Sequence, residues 1–175
     1  MLTRTKHYLL QFCFYLLVSF AAAVLGYFII KAIRSDNEVF GSLFRMSSYH
    51  HQHPFSYILI PCVLYSLIVT IGGSQPLNKS LLREVILTLA IVFFTILFSL
   101  PVGGMLYYYH DMRAGYFPDN WLPVMINDGT SKGFEAGWLI IALSFPYNVL
   151  GIVVCYFITK AGSHIFHKKQ PTPDS

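Results

Sequence analysis

The sequence predicts an all-α integral membrane protein with four transmembrane helices, both termini in the cytoplasm (N-in/C-in) and kinked outer halves. Three observations carry this. Of 175 residues, 55% are hydrophobic and only 11% are charged, where a soluble domain carries about 25% charged residues. The apolar residues gather into four long runs. The net charge of +4 comes from lysines and arginines at the edges of those runs, where they orient a membrane protein, and not from a separate basic stripe of the kind that binds nucleic acid.

The first run, residues 8–30, holds 23 residues behind Arg4 and Lys6. At about 1.5 Å per residue it spans a hydrocarbon core roughly 30 Å thick. It also exceeds the roughly 7–15 apolar residues of a signal peptide, although Ala21-Ala22-Ala23 resembles a cleavage site. The second run, 55–71, opens after Pro54, which suits the first helical turn. It closes at Gly72-Gly73, where glycine accepts a left-handed cap. The third run covers 85–109, with Arg83 and Glu84 placed among the head groups. The fourth covers 138–159 and ends at Lys160. Together these predict one four-helix membrane domain over 1–166 and a polar, disordered cytoplasmic tail over 167–175.

Orientation follows from the basic residues. The N-terminal segment, the second connection and the C-terminal segment hold Arg4, Lys6, Lys79, Arg83, Lys160, Lys168 and Lys169. The longer first and third connections hold Lys31, Arg34, Arg45, Arg113 and Lys132. The denser set is expected inside. Tyr27, Tyr49, Tyr107, Tyr108, Tyr109, Trp121 and Trp138 then fall near the outer boundary, where rings with one apolar and one wet end are favoured. The expected location is the cell membrane, crossed by several passes.

None of the four runs contains Asp, Glu, Lys, Arg or His. Proton- and ion-coupled transport usually depends on such residues facing a cavity, so that class is disfavoured. Cys13, Cys62 and Cys155 each lie within an apolar run, without a CxxC pair. They read as small buried hydrophobes, and no cofactor is expected.

Pro61, Pro101 and Pro146 lie about 9–12 Å below the outer boundary in this frame. A helix proline removes one hydrogen bond and crowds the preceding turn, so three at one depth predict splayed outer ends. Asn148, Tyr147, Ser144, Ser99 and Tyr65 are the polar groups expected to line a shallow outward pocket there, or to join helices as interhelical hydrogen bonds.

The first and third connections hold the imidazole and carboxylate ligand types His50, His51, His53, His110 and Asp111, which suit zinc or copper. Their spacing matches no metal motif, and no site is assigned to them. The third connection, 110–137, is 28 residues long and rich in apolar groups. Tyr116, Phe117, Trp121 and Trp138 are the expected partner surface, with Asn127-Asp128-Gly129-Thr130 as a turn.

Three function classes follow. The leading one is a non-enzymatic accessory, regulatory or assembly subunit of a membrane complex. The second is handling of an uncharged solute or lipid through the outward pocket. The third is a metal-dependent enzyme on the outer face. The expected partners are the lipid bilayer and either another membrane protein or further copies of the chain, with no nucleic acid.

Overall fold

The computed structural model describes residues 2–33, 53–72, 80–115, 120–143 and 147–167, and they hold no strand. Among the described residues five helices follow in order: α1 (Leu2–Ile33), α2 (Pro54–Gly72), α3 (Leu81–Arg113), α4 (Trp121–Leu143) and α5 (Tyr147–His167). Of these, α1, α2, α3 and α5 are long and apolar enough to cross a membrane. By length and composition the chain is a multi-pass membrane protein.

These four helices close into a ring. Helix α1 packs on α2 and α5, and α3 packs on the same two. Neighbours run antiparallel. At one end, the Tyr27 ring of α1 lies 6.4 Å from Phe55 of α2, and His53, just ahead of α2, stacks on His110 of α3. At the opposite end, His7 of α1 meets Phe166 of α5, and Lys160 of α5 pairs with Glu84 of α3. The Tyr27 end is called the far end below, and the His7 end the near end.

The core draws on every helix of the ring through Tyr15, Tyr65, Val69, Ile91 and Ile158. Around it the usual pattern is inverted. Leu9, Leu10, Leu17 and Leu25 of α1 and Phe93, Phe94 and Phe98 of α3 are exposed, while Ser66, Thr88, Thr95, Thr159 and Ser163 are buried. Lipid tails are as apolar as leucine, so helix association rests instead on close packing of small residues and on hydrogen bonds. Three of these hydroxyls are satisfied one turn back: Ser66 donates to the Cys62 carbonyl at 2.6 Å, Thr88 to the Glu84 carbonyl at 3.0 Å and Thr95 to the Ile91 carbonyl at 2.8 Å.

Residues 110–137 are not the single long connection that the sequence suggested. Helix α3 runs on to Arg113, and Gly115 follows with φ 86°, a left-handed position that suits glycine beyond a helix end. Helix α4 then takes in most of the segment, including the Asn127-Asp128-Gly129-Thr130 stretch expected to turn. Asn120 is a helix-starting residue type, and Pro123 falls in the first turn, where its missing N–H costs nothing.

Packing explains why the turn does not form. Gly129, Gly133 and Gly137 recur every four residues on one face of α4, and α3 lies against that face. A Cβ on Gly133 would run into the Leu100 carbonyl oxygen, and one on Gly104 would lie 2.7 Å from the Gly133 Cα. Small residues at this spacing let two helix backbones touch, and that contact outweighs local turn preference.

Helix α4 runs antiparallel to α3, with Gly129 beside Met105, Gly133 beside Leu100 and Trp138 against Phe93. Helix α5 is also antiparallel to α3, farther toward the near end. Two helices therefore descend α3 in succession. The apolar run 138–159, expected as one span, is shared between them: α4 ends at Leu143 and α5 begins at Tyr147. Between them in the sequence stands Pro146, a residue type with no N–H to continue a helix. Pro61 and Pro101, in contrast, lie inside α2 and α3. Helix α5 continues to His167, and the rest of the expected tail lies outside the described residues.

Candidate functional site

The most connected polar group sits where α3 begins and α5 ends. Glu84 is only 6% exposed, although the sequence placed it among the head groups. The Tyr156 hydroxyl donates to its carboxylate at 2.8 Å, and the Lys160 ammonium donates to the same oxygen at 3.2 Å. Lys160 also donates to the Tyr156 hydroxyl at 3.0 Å, and its ammonium lies 5.3 Å from the centre of that ring. Tyr156 and Lys160 are one helical turn apart, so both reach the same point on α3. A carboxylate taken out of water needs such partners. The group clamps two helices, and each member is bonded to the other two.

A second cross-helix contact lies nearby. Tyr65 is 3% exposed. Its hydroxyl reaches from α2 to α5, 2.8 Å from the Thr159 hydroxyl and 3.0 Å from the Cys155 carbonyl. The Thr159 hydroxyl itself donates to that carbonyl at 2.8 Å. On the other side the Tyr65 ring meets Tyr15 edge-on at 6.5 Å. Tyr15 lies directly over Gly162, where any Cβ would strike its ring.

Of the residues expected around one pocket, Tyr65 stands apart from Asn148 and Tyr147. Tyr65 is joined to the middle of α5, whereas Asn148 and Tyr147 stand at its start. Eleven residues separate Asn148 from Thr159, about 16 Å along the helix. Ser99 donates to the Thr95 carbonyl within α3, and Ser144 lies outside the described residues. Asn148 joins the two descending helices: its amide donates to the Ile141 carbonyl of α4 at 3.2 Å, and its side-chain oxygen accepts from the Val149 N–H at 2.8 Å. It thereby satisfies one backbone group on each side of the junction, as helix ends require.

Among the expected partner-surface residues, Trp121 opens α4 and is half-buried. Trp138 is 40% exposed beside Phe93. Tyr116 and Phe117 lie outside the described residues. Between the two tryptophans, Asp128, Lys132 and Glu135 are exposed, and Lys132 pairs with Glu135 at 3.2 Å.

Of the five ligand-type residues, the structure brings His53 and His110 together, with ring centres 4.4 Å apart and planes 7° from parallel. Asp111 follows His110 on α3, and His50 and His51 lie outside the described residues. No group of three or more His, Cys, Asp or Glu side chains among the described residues is placed to hold a metal.

Comparison with known protein families, with curated proteins and with solved structures finds no match. Function therefore has to be argued from these sites alone.

The sequence reading missed the Glu84 clamp and the glycine face of α4. Both had a signal. Tyr156 and Lys160 stand four residues apart at the end of an apolar run, and Glu84 is an acid at the edge of another. Gly129, Gly133 and Gly137 form a repeated small-xxx-small pattern, which is a helix-packing signal in membranes.

Proposed function

We propose that this protein is a non-enzymatic accessory or assembly subunit of a membrane complex, and that α4 presents the surface its partner binds. One observation carries the reading. Helix α4 is fixed backbone-to-backbone on the membrane-spanning α3, yet its other side exposes Asp128, Lys132 and Glu135. Charged side chains facing hydrocarbon are costly, so water or protein must cover that side. Trp121 and Trp138 bracket it, about 25 Å apart at a helical rise. Tryptophan is among the residue types that protein interfaces concentrate, with polar groups beside it.

Two further parts of the reading rest on the sequence. The lysine and arginine distribution supports both termini in the cytoplasm and the far end of the bundle outside. The size and hydropathy of the chain suit the cell membrane. In this frame Pro61 and Pro101 lie in the outer halves of their helices and bend them.

The test is affinity purification of the tagged full chain in mild detergent, with mass spectrometry of what co-purifies. A near-stoichiometric membrane partner is expected with the wild type. It should be lost or strongly reduced with Trp121→Ala, Trp138→Ala and Lys132→Glu, at unchanged expression. A partner retained at wild-type yield by all three variants would show that α4 is not the binding surface.

A further inference from the structure

We propose that His53 and His110 form a two-imidazole site for a divalent transition-metal ion of the zinc, copper or nickel class, tying the start of α2 to the end of α3. The two residues are 57 positions apart in the chain. They arrive side by side because α2 and α3 are antiparallel and His53 immediately precedes the first turn of α2. Their ring centres are 4.4 Å apart. Two imidazoles bound to one tetrahedral ion at about 2.0–2.1 Å hold their ring centres roughly 5 Å apart. The separation is close to a chelating one, but the planes lie 7° from parallel, so the His53 ring must turn out of the stack for both nitrogens to face one ion.

Ligand chemistry sets the class of ion, because these metals bind imidazole in its neutral form. Imidazole also selects the zinc, copper and nickel class over magnesium or calcium, which prefer oxygen ligands.

Access and anchoring are both present. His53 is exposed, so an ion can reach the pair from solvent and the His53 ring has room to turn about its Cβ–Cγ bond. Its backbone is held, because the His53 carbonyl accepts from the Ser56 N–H at 3.1 Å. His110 is half-buried within the last turns of α3. One ligand is thus fixed and the other adjustable. Among the described residues no third acid, thiol or imidazole joins the pair, and water can fill coordination positions the protein leaves open. The site does not depend on α4 and does not rest on the partner reading.

The test uses the full chain in detergent at neutral pH, titrated with Zn²⁺ by calorimetry and melted with and without the ion. The wild type is expected to bind one Zn²⁺ per chain and to melt higher when it does. His53→Phe and His110→Phe keep an aromatic ring in the stack and remove a ligand. Each should lose binding and the metal-induced rise while melting like the metal-free wild type, and Asp111→Asn should behave as wild type. Should a Phe variant fail to fold, X-ray absorption of the zinc-loaded wild type decides: two imidazole nitrogens support the site, and any other coordination overturns it. Absence of binding by the wild type also overturns it. So does binding that survives both Phe variants, or that is lost only with His50→Phe or His51→Phe.

Discussion

The contact between α3 and α4 makes a prediction whose sign is unusual. In most helices, replacing an internal glycine with alanine stabilises by roughly 0.8–1 kcal/mol through helix propensity. At Gly133 the new Cβ would overlap the Leu100 carbonyl oxygen and lie 3.0 Å from the Leu100 carbonyl carbon and 3.2 Å from the Gly104 Cα. All three atoms are backbone, so relief requires moving a helix and not turning a side chain. Overpacking of this kind costs about 1–3 kcal/mol, and a clash with rigid backbone belongs in the upper half of that range. Setting the propensity gain against it leaves Gly133→Ala about 1–2 kcal/mol less stable. Gly151 in α5 is the control, because a Cβ there meets nothing within 4 Å. Gly151→Ala should therefore gain up to about 1 kcal/mol. For a chain of this length 1 kcal/mol shifts melting by roughly 2–4 °C. Thermal melting in one detergent should show Gly133→Ala lower by about 2–8 °C and Gly151→Ala higher by about 2–4 °C. Gly133→Ala melting at or above wild type would refute the glycine-mediated contact. A fall in Gly151→Ala as large as in Gly133→Ala would show that the effect is not specific to it.

Three further outcomes follow from the cross-helix contacts. Tyr65→Phe removes a hydroxyl shared with Thr159 but leaves Thr159 bonded to the Cys155 carbonyl, so it should cost only about 0.6 kcal/mol and at most about 1.7; a melting loss above roughly 7 °C would mean the hydroxyl carries more than this pair. Glu84→Lys should lower the melting temperature by placing two cations at one point, and adding Lys160→Glu should recover part of the loss; a double variant no better than the single would show that the pair is not coupled. Asn148→Leu removes the side-chain partner of the Ile141 carbonyl and the Val149 N–H, a loss of about 0.5–1.5 kcal/mol, and should speed amide exchange at Val149, while unchanged exchange there would place the bond outside the stabilising set.

The bundle was legible in the sequence because apolar length is a nearly unambiguous signal in a membrane. Residues 55–71 became α2, and 8–30 lie within α1, with the ends displaced by a few residues only. The α4 segment was misread for a physical reason. Its residues carry turn formers and charges, which in water argue for a surface loop. Against α3 the glycines are an asset, because they admit a second backbone, and the charges fall on the opposite side. Local propensity and tertiary packing pointed in different directions there, and packing prevailed. Asn148 bonds α5 to α4, the interhelical alternative of its reading, but its partner, a carbonyl seven residues earlier, was not visible because the apolar run 138–159 reads as one helix and not two. His53 and His110 show the limit of spacing arguments: the sequence put them on one side of the membrane, and only the antiparallel pairing of α2 with α3 put them in contact.

The division of labour between α4 and α5 bears directly on the proposed partner surface. Helix α5 belongs to the ring through Tyr65, Tyr15 and Glu84, and its contacts are internal. Helix α4 contacts the ring chiefly through α3, so it can be covered by a partner without disturbing the ring. The glycine contact also fixes the position of its exposed side. The proposed partner would therefore need little ordering of the chain on that side, and the entropic cost of binding it would fall mainly on side chains such as Lys132 and Glu135. A mutation that loosens the contact between α3 and α4 should then weaken partner binding without touching the binding surface. Gly133→Ala is such a mutation. Its effect on co-purification separates a rigid platform, which loses partner along with stability, from a helix that folds onto its partner, which would retain it.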